Sequence, residues 1–165
     1  MAFDCYLQIS SPDVKGESTD KAHQGWIQVE GFDFNVANPT TISSGTTGSG
    51  SGKATLSTIT IHKWTDKASP VLYQACCSGE HFGKATLVAR KSGKNPLEYM
   101  IINFTEFYVS SLTTRGSTGE KEDVPREDVE FSYSTIHIKY VPQKADGSGD
   151  SPIEGGWDVK QNAPK

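Results

Sequence analysis

The residue types that most often carry chemistry here are the three cysteines and four histidines. Cys76, Cys77 and His81 form the densest group of potential soft metal ligands. Adjacent cysteines on a helix point about 100° apart, which suits one zinc ion poorly. The histidines show neither H-E-x-x-H nor H-x₃-H spacing. The pattern therefore predicts no metal and no cofactor, with Cys76 in the core and Cys77 as a partly exposed free thiol.

Carboxylates and glycine-rich turns give no indication of catalysis either. Glu98 and Glu106 lie on one face of a predicted strand, too far apart to act as an acid–base pair. Gly52-Lys53 and Gly93-Lys94 lack the upstream glycine and the following Ser or Thr of a phosphate-binding loop. No G-x-S-x-G nucleophile motif is present. The sequence predicts no catalytic residue, and we expect a protein that is not an enzyme.

Composition restricts the class of protein further. The chain has 165 residues, of which 35% are hydrophobic and 22% charged, with a net charge of −4. Its high content of Val, Ile and Thr favours strands over helices. Segment 119–130 holds six acidic and two basic residues and so accounts for the whole net charge. We expect this segment to be a solvated turn, and the absence of a basic field predicts no nucleic-acid partner.

The sequence predicts neither a signal peptide nor a membrane-spanning helix. The N terminus has no basic region, and Asp4 falls where a signal peptide would begin its apolar stretch. The chain lacks the roughly 18 consecutive apolar residues that a membrane helix needs, so we expect no membrane insertion. The odd cysteine count, with two cysteines adjacent, does not fit a disulfide framework. These features predict folding in a reducing compartment.

Alternation of apolar and polar residues is the strongest structural pattern and predicts a mainly β protein, a single domain over residues 1–165. Many antiparallel strands with one short helix favour an antiparallel β-barrel or sandwich with the helix at its end or edge. The helix is expected to have Ser69 as N-cap and Pro70 as its first residue, and to end at Gly79. The strands are expected over 3–9, 26–36, 54–64, 85–91, 99–112, 129–141 and 157–161.

The second predicted strand contains an irregularity. Its apolar phase changes at Gly31, where a bulge would redirect the chain. Phe32 and Phe34 are then expected to face the core, which turns Asp33 to the opposite face. This strand and the strand over 54–64 should form a hairpin, with a polar, glycine-rich loop between them. The loop residues are Ser43, Ser44, Gly45, Thr46, Thr47, Gly48, Ser49, Gly50, Ser51, Gly52 and Lys53.

Eight stretches of the chain resemble the hemolysin-coregulated protein (Hcp) family, the tail-tube proteins of bacterial type VI secretion systems. The matches run essentially from end to end, and segment 25–47 diverges most. In chain order they are DVKGES (13–18), DKAH (20–23), the loop ending in GSGSGK, DKASPVLYQACCSGEHF (66–82), ATLVARKSG (85–93), EYMIINFTEFYVSSL (98–112), YVPQKADGS (140–148) and GGWDVKQN (155–162).

The resemblance implies an antiparallel β-barrel with one short α-helix at its side. It implies a homo-hexamer whose rings stack into a tube, with a VgrG-type spike protein at the tip and a contractile sheath around it. Small effector proteins would travel in the lumen. The subunit would assemble in the bacterial cytoplasm and then leave through the type VI apparatus without a signal peptide.

Two sets of residues are candidate sites within such a ring. Loop 43–53 is expected to contact the next ring, since glycine allows close backbone approach without bulk; the alternative is a tip with no role. Glu30 and Asp33 would contact cargo if their sheet lines the lumen, and would otherwise face solvent outside the ring. A second class of function is a monomeric β-sandwich that binds carbohydrate or another small ligand, with Trp26, Trp64 and Trp157 able to stack on sugars.

Overall fold

The computed structural model describes residues 3–42, 50–119 and 123–165, and positions 43–49 of the predicted loop therefore lie outside the described residues. Within these ranges the chain forms thirteen strands and one helix, α1 (Ser69–Ser78). The strands are β1 (Phe3–Ser10), β2 (Ile27–Val29), β3 (Gly31–Asp33), β4 (Val36–Ala37), β5 (Thr40–Thr41), β6 (Gly50–Ser51), β7 (Thr55–Leu56), β8 (Ile59–Trp64), β9 (His81–Lys91), β10 (Glu98–Arg115), β11 (Arg126–Tyr140), β12 (Ile153–Asp158) and β13 (Ala163–Pro164).

The main sheet closes on itself through antiparallel pairs. Strand β1 pairs with β9, β9 with β10, β10 with β11, and the first half of β11 with β8. The continuous segment 27–33 completes the circuit, because β2 pairs with β1 and β3 pairs with β8. At the irregularity predicted for Gly31, this segment thus changes its pairing partner from β1 to β8. At the break, the Glu30 N–H donates to the His62 carbonyl over 2.7 Å.

Inward-facing apolar residues fill this barrel. Ile59 and Ile61 on β8 are fully buried, as the alternation predicted. Four phenylalanines from β9, β10 and β11 form the centre of the core, with Phe104 and Phe107 in edge-to-face contact at 4.9 Å between ring centroids. Phe82 stacks on Phe107 at 5.2 Å, and Phe131 lies 5.5 Å from it. The predicted mainly β, antiparallel architecture with one short helix is confirmed.

The helix begins differently from the prediction. The N-cap residue is Ala68, and Ser69 is the first helical residue, so Pro70 is the second. Asp66 Oδ1 accepts from the Ala68 N–H over 3.0 Å, while the Ser69 hydroxyl turns towards the barrel instead of capping the helix. Gly79 ends the helix in the left-handed conformation with φ of 68°, as expected.

Strand β12, which pairs with the second half of β11 outside the closed circuit, was only partly predicted. Strand β12 begins at Ile153 and contains Gly155 and Gly156, whose missing side chains break the alternation that marks a strand. A Cβ on Gly156 would lie 2.7 Å from the Lys165 carbonyl oxygen, so close backbone packing requires glycine there. Strand β10 extends beyond both of its predicted ends, and β11 begins earlier than predicted. Within the described ranges, no helix is long and apolar enough to cross a bilayer.

Candidate functional site

The most prominent surface feature is a hairpin that extends the β3–β8 pair away from the barrel. Strand β4 pairs with β7 and β5 pairs with β6, and we call the described residues of this hairpin, 36–42 and 50–56, the arm. Its described side chains are mostly exposed, including Ile42 at 90% and Val36 at 62%. The hairpin predicted between the two flanking strands is confirmed. Of the predicted loop residues, Gly50 and Ser51 pair in the arm, and Gly52 and Lys53 follow them.

Glycine is required at one point of the arm. The Gly52 N–H donates to the Pro39 carbonyl over 2.9 Å, and a Cβ on Gly52 would lie 2.6 Å from Pro39 Cγ. The two sides of the arm therefore approach each other more closely than a larger residue would allow.

A polar cluster on the outer face joins the root of the arm to the barrel. Asp33 faces away from Phe32 and Phe34, which pack partly buried against the core, as predicted. Its Oδ2 lies 2.8 Å from His62 Nε2, and His62 Nδ1 lies 2.6 Å from Asp128 Oδ1. We call Asp33, His62, Asp128 and Arg115 the corner cluster, since the Arg115 guanidinium also donates to Asp128.

The electrostatics of the corner cluster follow from these contacts. The hydrogen bond to Asp128 raises the pKa of His62 above its ordinary value, and the bond to Asp33 adds to this effect. The His62 ring and then Arg115 lower the pKa of Asp128. Glu30 is exposed at the bend between β2 and β3 and lines a cavity of about 380 Å³ with His62 and Arg115.

A second polar cluster is buried where β8 meets α1. The Lys63 side chain is fully buried, since it follows Ile61 on the inward face of β8. Its Nζ lies 2.8 Å from Asp66 Oδ1 and 2.9 Å from Glu127 Oε2, and it also donates to the Ser69 hydroxyl over 2.9 Å. We call these four residues the buried cluster. It ties β8, α1 and β11 together at one end of the barrel.

A third cluster holds the loop 15–26 against β1 and β9. Arg90 donates to both carboxylate oxygens of Asp20, over 2.7 and 3.2 Å, and to Asp4 over 3.1 Å. His23 is buried, with Nδ1 2.9 Å from Asp20 Oδ1 and Nε2 2.9 Å from Glu98 Oε1. The Arg90 guanidinium, together with His23, holds the pKa of the Asp20 carboxyl well below its usual range. We call Asp4, Asp20, His23, Arg90 and Glu98 the loop cluster.

An apolar groove lies between the arm root and the β11–β12 pair. Its volume is about 370 Å³. Its apolar lining comes mainly from Phe34, Val36, Leu56, Ile136, Ile138 and Trp157.

The residues considered for metal binding and catalysis are not brought together. Cys76 packs partly buried against the core and Cys77 is exposed, as predicted. Among the described residues no three His, Cys, Asp or Glu side chains form a group that could hold a metal ion. Glu98 contacts His23, whereas Glu106 contacts His81 over 2.9 Å.

The three tryptophans occupy separate surroundings. Trp26 packs edge-on against His23, with ring centroids 4.8 Å apart. The Arg126 guanidinium lies over the Trp64 ring at 4.5 Å. Trp157 lines the apolar groove. These positions do not form the shared aromatic platform that the carbohydrate-binding alternative would use.

Comparisons with known proteins agree on the class. Residues 6–140 match the family described as "Type VI secretion system effector, Hcp". The chain is 40% identical over 164 residues to protein hcp1 of Pseudomonas aeruginosa, covering 98% of each chain. It is similar to the structure of a type six secretion system protein, with a TM-score of 0.92, 36% identity and coverage of 99% and 100%. It is also similar to the crystal structure of Hcp1 from Salmonella typhimurium, with a TM-score of 0.80, 34% identity and coverage of 100% of both chains.

Fold and comparisons together define a secreted type VI secretion protein. Both comparison structures are covered along their whole length. The chain belongs to the Hcp family.

Proposed function

We propose that this chain is the ring subunit of a type VI inner tube, in which six copies close into a ring and rings stack. The arm is the observation that carries the proposal. Ordering such a hairpin costs conformational entropy, and its mostly exposed side chains return little core burial. Long extensions of this kind in compact domains usually serve a function. Contact with a neighbouring ring supplies that function, with loop residues 43–53 at the contact.

Ring closure requires two different surfaces on each subunit, because a cyclic hexamer uses a heterologous interface. Large apolar side chains are exposed on two separate elements of this chain. Val71 and Tyr73 lie on α1, at 45% and 62% exposure, and Tyr140 and Ile153 lie near the β11–β12 edge, at 48% and 66%. We propose these two surfaces as the two sides of the ring contact.

Within this proposal the remaining partners follow from membership in the Hcp family. The stacked rings would carry small effector proteins in the lumen, with a VgrG-type spike at the tip and a contractile sheath outside. Assembly would take place in the bacterial cytoplasm before secretion. No catalytic step and no cofactor enter the proposal.

Shortening the arm tests the stacking role. Replacing residues 42–49 with a two-residue Asn-Gly turn preserves the pairing of Thr40 with Ser51, because this turn suits a tight hairpin. We expect hexamers to persist in analytical ultracentrifugation, while tubes disappear from electron micrographs and secretion stops. Weak contacts from six arms act together, so their joint loss has a large effect.

A length-matched control distinguishes the effect of the sequence of residues 42–49 from the effect of their number. In this variant residues 42–49 are exchanged for eight alternating Gly and Ser residues. Unchanged tube growth in the shortened variant would show that the tip has no role in stacking. Monomers at micromolar concentration in the unmodified protein would contradict the ring itself.

Cargo contact is tested at Glu30 and Asp33. Both side chains are exposed on the outer face of the barrel segment that closes the sheet. If this face lines the lumen, reversing either charge to arginine should reduce effector co-purification several-fold and leave hexamers intact. Normal co-purification would place the face outside the ring, and loss of hexamers would place it in a subunit interface. Asp13→Arg, at an exposed residue whose ion pair with Lys15 lies on the surface, is the control.

A further inference from the structure

The corner cluster places one histidine between two carboxylates that belong to different parts of the molecule. Asp33 precedes the arm, whereas Asp128 lies on β11 in the barrel wall. Both His62 nitrogens are within hydrogen-bond distance of these carboxylates, at 2.8 and 2.6 Å. The side chain is 43% exposed, so protons exchange with solvent directly.

This geometry is satisfied by only one protonation state of the ring. A neutral imidazole has a single N–H, so its second nitrogen would present a lone pair to a carboxylate oxygen. The imidazolium donates to both carboxylates. The raised pKa of His62, caused first by the hydrogen bond to Asp128, agrees with this geometry.

Other charged groups surround the ring without replacing either partner. The Arg115 guanidinium, from β10, donates to Asp128 and fixes that carboxylate independently of His62. Asp33 is 70% exposed, and His62 is the one side-chain partner that the structure gives it among the described residues. Other charged side chains near the ring are Glu30 at the β2–β3 bend, Arg126 on β11 over Trp64, and Glu130 on β11, which accepts from Thr58. Lys63 and Glu127 also line this cavity, but they pair with each other in the buried cluster.

We propose that the proton on His62 is a switch that fastens the arm root to the barrel, a regulation that rests on the stacking role proposed above. The charged ring joins Asp33 to Asp128. The neutral ring keeps its bond to Asp128, which Arg115 holds in place, and releases the more exposed Asp33. The arm is therefore anchored when His62 is charged, and ring stacking weakens as pH rises through the titration of this histidine.

Hydrogen exchange by mass spectrometry tests the switch directly on the full chain. Protection of a peptide covering residues 30–40 is compared at about pH 5.5 and about pH 8.5, each corrected for the intrinsic exchange rate at that pH. We expect a roughly tenfold loss of protection at the higher pH, since one charge-assisted hydrogen bond is lost. Tube formation at the same two pH values is followed by electron microscopy.

Three variants assign the effect to this cluster. The amide of His62→Gln never carries the charge, so this variant should show the weak protection at both pH values. The amide of Asp33→Asn can donate an N–H to the unprotonated nitrogen of the neutral ring. This variant should therefore keep strong protection at both pH values. His81→Gln is the matched control, because His81 is also 43% exposed and contacts one carboxylate, Glu106. It should retain the pH response of the unmodified protein.

The possible results separate the switch from the stacking role. Equal protection at both pH values in the unmodified protein, or an unchanged pH response in His62→Gln, overturns the switch. A pH response that follows the expected pattern, with no tubes at either pH, supports the switch and contradicts the proposed function. Parallel loss of protection and of tubes supports both.

Discussion

Lys63→Met is expected to lower the free energy of unfolding by about 3–5 kcal/mol, because it leaves buried carboxylates without their cation. Glu127 is 3% exposed and Asp66 11% exposed, so water replaces the lost ammonium poorly. The methionine retains most of the apolar length of the lysine side chain, so the change reports mainly on charge. Urea denaturation at neutral pH, followed by circular dichroism, measures the effect.

Two further variants interpret the Lys63 result. Lys67→Met removes an exposed lysine close by in sequence and should change stability by less than about 0.5 kcal/mol. Adding Glu127→Gln to Lys63→Met should recover part of the loss, because the variant removes one unpaired charge. If Lys63→Met resembles Lys67→Met, the buried cluster does not hold the helix to the barrel.

Asp20→Asn is the second large expected effect, a loss of about 2–4 kcal/mol. The carboxylate accepts from Arg90 and faces the His23 ring, and it also accepts from the Ala22 N–H over 3.0 Å. An amide has one acceptor oxygen and places a donor against the Arg90 guanidinium. Asp13→Asn, at an exposed ion pair with Lys15, is the matched control and should cost less than about 1 kcal/mol.

The Asp20 effect should depend on pH in a defined direction. Because its folded pKa lies below the ordinary value, the carboxylate contributes stability above about pH 4, and this contribution is lost as pH falls through the folded pKa. The difference between the unmodified protein and Asp20→Asn should therefore shrink between neutral pH and about pH 2. A difference that stays constant over this range would assign the effect to packing rather than charge.

The parts of the fold that the sequence predicted are those with local patterns. Alternation located the barrel strands, the phase change located the bend at Gly31, and Gly79 located the end of the helix. The outward direction of Asp33 followed from its position between two aromatic residues. Each of these inferences uses residues within a few positions of one another.

The polar clusters could not be predicted in this way. His62 meets Asp33 across 29 positions and Asp128 across 66, and Arg90 meets Asp20 across 70. No short motif records such pairs, because barrel closure brings them together. In the sequence, Lys63 resembles any other polar residue of a strand. Its inward direction follows only once Ile61, two residues earlier, is known to face the core. Ser69 was misassigned because the buried cluster competes for its hydroxyl.

The bend at Glu30 also determines where the barrel opens most easily. One segment closes the wall, and it is divided into two strands of three residues, β2 and β3, whereas β10 runs for 18 residues. Short ladders open with a smaller free energy than long ones, so partial unfolding should begin at this seam. The core formed by β9, β10 and β11 can then remain folded while the seam opens. The barrel thus combines a stable wall with one segment, β2–β3, that can open locally, and the arm follows directly after this segment.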